Sequence, residues 1–157
     1  MDRFVLHPTL ARDTREVLKL ALSRVLLMND AAVPWLILVP ERPHLRELHQ
    51  LEAPRRAELM EEIALAGTVL ERLYRPDKLN VGALGNLVPQ LHLHVVARFA
   101  GDRAWPGPIW GSTPGEPYPP AEMARVIRAL REALGEELRG RAGWPGGGAG
   151  HALPRPL

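Results

Sequence analysis

A chain of 157 residues with 46% hydrophobic and 24% charged side chains has the apolar material for one ordinary domain with a real core. Its 20 Lys and Arg against 18 Asp and Glu leave a net charge of +2, with the arginines spread along the chain, which argues for a solvated surface and against a nucleic-acid arm. There is no cysteine, as a reducing cytoplasmic setting permits, and the longest apolar run, 31–39, is short and broken by Pro34, so neither export nor a membrane span is expected.

In chain order, Asp13-Thr14-Arg15-Glu16 has the shape of a capping box, and Val17, Leu18 and Ala21 follow at helical spacing, which predicts a short helix over about 10–21. Two apolar runs, Arg24 to Met28 and Trp35 to Val39, flank Asn29-Asp30-Ala31-Ala32-Val33-Pro34 and read as a hairpin. Leu59, Ile63, Ala66, Leu70 and Leu73 recur at intervals of four and three between charged positions. They mark the longest amphipathic helix, beginning at Pro54 and stopped by Pro76. Strands follow over roughly 80–84 and 91–99. Trp105-Pro106-Gly107-Pro108-Ile109-Trp110-Gly111 and then Pro114, Pro117, Pro119 and Pro120 exclude regular structure, and the two tryptophans read as pins that hold this loop to the core or to a partner subunit. Met123, Val126, Ile127, Leu130 and Leu134 mark a second amphipathic helix closed by Gly135, after which Gly146-Gly147-Gly148-Ala149-Gly150 reads as flexible. The expected organisation is an α+β domain over 1–135, helices packed on an antiparallel sheet, with a Gly/Pro-rich tail over 136–157.

The chemistry concentrates in Gln90-Leu91-His92-Leu93-His94-Val95-Val96-Ala97-Arg98, which alternates polar and apolar residues. In a pleated strand Gln90, His92, His94 and Arg98 share one face, and Leu91, Leu93, Val95 and Ala97 share the other. Residues two apart lie about 6.6 Å from each other, so two imidazoles line a groove that a phosphate could cross. Asn80 to Pro89 supplies amides and glycines just upstream, where Gly82 and Gly85 let the backbone turn tightly and approach a ligand. A His-x-His pair on a strand is also a metal-ligand pattern, as in cupin-like barrels, but no Asp or Glu follows His94 before Asp102, and Glu116 lies far into the loop.

Residues 80–98 together resemble the histidine triad (HIT) family of nucleotide hydrolases and transferases, in which a Gly-Gln segment leads into a strand reading His-x-His-x-His and two apolar residues. Gln90 stands where the family's first histidine stands, and Asn86 where the family usually has glutamine. Val25 to Asp30, Pro34 to Pro40 and Leu45 to Leu51 follow the family's order of hairpin, closing proline and helix start, so the resemblance covers most of 4–100.

The resemblance implies a HIT-like fold, a homodimer with its sheet extended across the interface, and action at the α-phosphate of a nucleotide through a nucleotidyl-histidine. Dinucleoside polyphosphates and nucleoside phosphoramidates are the implied substrate classes. His92 takes the place of the nucleophile, with one ring nitrogen free to attack and the other holding its proton on a backbone carbonyl. His94 is expected to hydrogen-bond a phosphoryl or bridging oxygen. Gln90 joins the catalytic set as a residue that orients a neighbour or donates to phosphate but cannot shuttle a proton. Asn29 is expected at the ribose hydroxyls and Asn86 at the phosphate oxygens, with Asn80 and Gly85 as further substrate-binding residues. No cofactor, metal, nucleic acid or membrane is called for. Two other readings stand beside this one: a nucleotide-binding protein without turnover because of Gln90, and a His-x-His metal site. Arg98 reads as a solvated charge at a strand end. His7, His44, His49 and His151 read as surface or helix-cap residues.

Overall fold

The computed structural model describes residues 2–141. Helix α1 (Pro8–Asp13) is followed by strands β1 (Thr14–Lys19), β2 (Ser23–Met28) and β3 (Trp35–Pro40), a 3-10 turn at Leu48–Gln50, helix α2 (Ala53–Tyr74), strands β4 (Lys78–Gly82) and β5 (Leu93–Arg98), and helix α3 (Pro120–Gly140). The strands pair antiparallel throughout, in the order β1-β2-β3-β5-β4. The chain leaves the hairpin through α2, returns along the edge as β4, and then inserts β5 between β4 and β3. That crossover places His94 on an interior strand, with His92 just before it. No helix among the described residues is long and apolar enough to cross a membrane.

The two faces of the sheet are covered differently. On one, Val17, Val25, Leu36, Leu38, Leu93, Val95 and Ala97 pack against Leu59, Ile63, Ala66 and Leu70 of α2 and Met123, Leu130 and Leu134 of α3. These are the predicted helical stripes, except that Leu73 at the end of α2 is 38% exposed. On the other face Leu26, Trp35, Ile37, Val39 and Val96 meet Leu10 and Ile109 in a smaller cluster. The alternation read from 91–98 therefore holds, but both faces are covered, and every residue of β3 and β5 is buried.

The expected helix over 10–21 is wrong in its second half. Pro8 opens α1 at a position that needs no N–H, and His7 caps it by accepting the Thr9 N–H on Nδ1 at 3.2 Å. At Thr14 the backbone turns extended, and the Thr14 hydroxyl donates to the Leu10 carbonyl, closing the helix. Thr14 to Lys19 then pairs with β2, burying Thr14, Val17 and Leu18. Pairing with a ready-made apolar strand outweighs the local helical signal.

The second predicted amphipathic helix, α3, also departs from its expected end, running through Gly135 to Gly140. A glycine inside a helix costs about 1 kcal/mol relative to alanine. Against this, Leu138 packs on the main core, and Arg72 of α2 pairs with Glu136 and Glu137 at 2.5 and 3.1 Å. The Gly146 to Gly150 run and the rest of the predicted tail from 142 onward lie outside the described residues. The strands expected at 80–84 and 91–99 fall at 78–82 and 93–98.

Candidate active site

His92 precedes β5 and His94 lies within it, and partners on different strands and loops set their rings. The Nδ1 of His92 lies 2.6 Å from the main-chain carbonyl of Gln90. A carbonyl only accepts, so Nδ1 carries a proton, and in the neutral ring Nε2 has the free lone pair. At His94 the sense is reversed. The Trp35 indole N–H donates to His94 Nδ1 at 3.0 Å, so this nitrogen must be bare and Nε2 carries the proton. Burial, with a further contribution from neighbouring His92, pushes the His94 pKa down to about 3, and the ring stays neutral at physiological pH. The ring centroids lie 4.9 Å apart, edge to face. A nucleophilic nitrogen and an N–H donor thus stand side by side in fixed tautomers.

Both histidines line a cavity of about 670 Å³. Asn29, Gly85 and Asn86 line it with them, which brings together five of the residues singled out in the sequence. Asn29 accepts the Tyr118 N–H on Oδ1 at 2.9 Å, leaving its NH2 group as a donor. Gly85 has φ of +72°, a left-handed conformation that glycine adopts without strain and that bends the loop carrying Asn86. Gly82 has a different use from the expected ligand approach. It faces His94 across the β4–β5 pair, and a Cβ there would come within 3.1 Å of the Trp110 ring.

Asn80 and Gln90 do not line the cavity. Asn80 accepts from the Arg98 guanidinium at 2.7 Å. Arg98 itself is 1% exposed, not solvated, and forms a bidentate pair with Asp102 at 2.7 and 3.0 Å while donating to the Gly107 carbonyl at 2.8 Å. The pairing holds the Asp102 carboxyl well below the usual carboxylate range. Gln90 precedes the regular strand, and its side chain joins the N-terminal segment through His7 N–H and Val5 C=O.

The cavity wall also includes residues not singled out as site residues from sequence, among them Trp35, Asp30, Arg103 and Trp110. Trp110 does pin its loop, and it does so on the site, with ring centroids 5.3 Å from His94 and 6.5 Å from Trp35. Trp105, 38% exposed, instead sits over the Arg98 guanidinium at 5.9 Å. Arg103 pairs with Asp30 at 2.7 Å, and Asp30 also accepts the Ala32 N–H. Among the described residues no group of three or more His, Cys, Asp or Glu side chains is placed to hold a metal ion.

The profile of the HIT domain family matches residues 10–101. Three solved structures are similar over most of their length. A histidine triad protein from Bradyrhizobium japonicum is 44% identical with a TM-score of 0.82, the alignment covering 85% of this chain and 99% of that one. One from Marinobacter aquaeolei VT8 is 43% identical with a TM-score of 0.83, covering 86% and 98%. One from Sinorhizobium meliloti 1021 is 42% identical with a TM-score of 0.80, covering 83% and 96%. No curated protein matches the chain.

Proposed function

Since the chain belongs to the histidine triad family, we propose that it is a nucleotide hydrolase or nucleotidyl transferase acting at an α-phosphate through His92. The observation that carries this reading is the pair of opposed tautomers, His92 with Nε2 bare and His94 with Nε2 protonated, side by side in one cavity. His92 Nε2 attacks the α-phosphorus. The P–N bond forms, the bond to the leaving group breaks, and its electron pair departs with that group. The ring becomes cationic, and its Nδ1–H stays on the Gln90 carbonyl in a hydrogen bond that strengthens as the charge develops. His94 Nε2–H donates to a phosphoryl oxygen on which negative charge gathers. Water, or an acceptor hydroxyl, then attacks the phosphorus, the pair returns to Nε2, and the attacking group loses its proton to solvent.

Asn29, Asn86 and the Gly85 turn form the rest of the substrate contact in this reading, with Asn29 at the ribose and Asn86 at the phosphates. Dinucleoside polyphosphates and nucleoside phosphoramidates are the substrate classes to try. The test is a single-turnover reaction with a substrate of each class labelled in the nucleotide. Acid-labile label on the protein, absent in His92→Ala, is the expected result. Nucleotide binding without label on protein or product in any class overturns the catalytic assignment and leaves a binding protein.

A further inference from the structure

The reading of His92 as nucleophile raises the question of what fixes the carbonyl that sets its tautomer. That carbonyl belongs to Gln90, and its peptide group is held at both ends. The Gln90 C=O faces His92 Nδ1 at 2.6 Å, and the N–H of the same peptide, on Leu91, donates to the Leu45 carbonyl at 2.9 Å. The Gln90 side chain reaches the opposite way. Its Oε1 accepts the His7 N–H at 2.9 Å, and its Nε2 donates to the Val5 carbonyl at 2.8 Å. A carbonyl at one residue and an N–H two residues on form the pair that a residue of a neighbouring parallel strand engages. The Gln90 amide therefore acts as a one-residue strand partner for the N-terminal segment. That segment is itself anchored, by Phe4 packed on the smaller core with the Arg24 guanidinium 5.3 Å above its ring, and by His7 as the cap of α1.

We propose that Gln90 is a positioning residue that acts on His92 through its own main-chain carbonyl, with the N-terminal segment as its anchor. The inference rests on the function proposed above but concerns a geometry that can be read without turnover. Histidine cannot take this place unchanged. Its two ring nitrogens diverge, whereas the amide offers an acceptor and a donor side by side to one stretch of backbone. Glutamine at 90 is then suited to its anchor and does not stand in for a proton carrier.

The test is to read the ring protonation of each histidine by long-range proton–nitrogen correlation NMR in the 15N-labelled full chain, for wild type, Gln90→Ala, His7→Pro and His7→Ala. His7 has φ of −55°, which proline adopts, so His7→Pro removes the N–H donor with little backbone change. His7→Ala removes only the ring that caps α1. We expect His92 to be protonated at Nδ1 in wild type and His7→Ala. In Gln90→Ala and His7→Pro it should shift towards Nε2, while His94, held by Trp35, stays protonated at Nε2 in all four. On any substrate that wild type turns over, kcat should fall by up to about a hundredfold in the two shifted variants with KM little changed, since placement and not binding is lost. His92 still protonated at Nδ1 in both Gln90→Ala and His7→Pro overturns the inference, as does an Nε2 proton on His92 in wild type. Should Gln90→Ala fail to fold, His7→Pro decides alone. A tautomer shift in a protein that labels with no nucleotide would retain the positioning role and sink only the proposed chemistry.

Discussion

His92 and His94 differ in their hydrogen-bond partners more than in their position, and this has a measurable consequence for His94. It is 6% exposed, its Nδ1 is occupied by the Trp35 N–H, and its pKa is lowered from 6.5 to about 3. Above the ordinary value the imidazole is neutral in both the folded and the unfolded chain, and neither binds the second, charging proton. Between there and the lowered value only the unfolded chain does. Stability contributed by keeping His94 neutral is thus fully present above about pH 6.5 and is lost as pH falls towards about 3, by at most about 1.4 kcal/mol per pH unit. His94→Gln keeps an acceptor for the indole and removes the titration. Chemical denaturation from about pH 7 to about pH 4 should give wild type a steeper loss than His94→Gln, by up to about that slope. Parallel stability curves for the two proteins would show that His94 is not held neutral by its surroundings.

At the scale of elements, the loop after β5 is secured by a charge buried at the end of that strand. Arg98 reaches Asp102, the Gly107 carbonyl and Asn80 of β4, and Asp102 in turn accepts the N–H groups of Phe99, Ala104 and Trp105. Removing one member of such a buried pair leaves the other uncompensated, at about 3–5 kcal/mol. Asp102→Ala should lose about that much on urea denaturation, and Asp102→Asn, which keeps acceptor capacity, distinctly less. Equal losses would mean that the charge carries the whole effect and the retained acceptor contributes nothing. The elements legible in the sequence were those whose periodicity is complete in itself: α2, with its apolar residues at intervals of four and three, and the alternating residues of β5. Thr14 to Lys19 was misread because its identity depends on β2, and Arg98 because its partners lie in a loop without a periodic signal. The local motif likewise exposed His92, His94, Gly85 and Asn86. Trp35 reaches His94 across 59 residues of sequence and Arg103 reaches Asp30 across 73, so no local window contains either pair. Gln90 was read as a groove residue because the alternation was extended past Leu93, where the regular strand begins.

For the whole molecule, the sheet divides its tasks between its faces. The helical face holds the larger core, with Leu70 of α2 at 1% exposure within it. The opposite face holds the cavity, roofed by the loop after β5. If the division is real, packing and substrate contact can be damaged separately. Leu70→Ala should cost about 2–5 kcal/mol of stability, yet leave kcat and KM near wild type well below its melting temperature. Gly115 tests the other face. A Cβ there would lie 2.1 Å from Asp30 Oδ1, closer than any contact tolerates, and Asp30 is held by Arg103 and the Ala32 N–H. Gly115→Ala must therefore displace a carboxylate and an arginine that both line the cavity. We expect KM to rise about tenfold, the equivalent of about 1.4 kcal/mol of lost binding, with a stability cost smaller than that of Leu70→Ala. A KM raised in Leu70→Ala to the same degree as in Gly115→Ala would mean that the central strands transmit strain from the helical face into the cavity. The sheet would then couple its two sides, and stability and chemistry could not be assigned to separate faces.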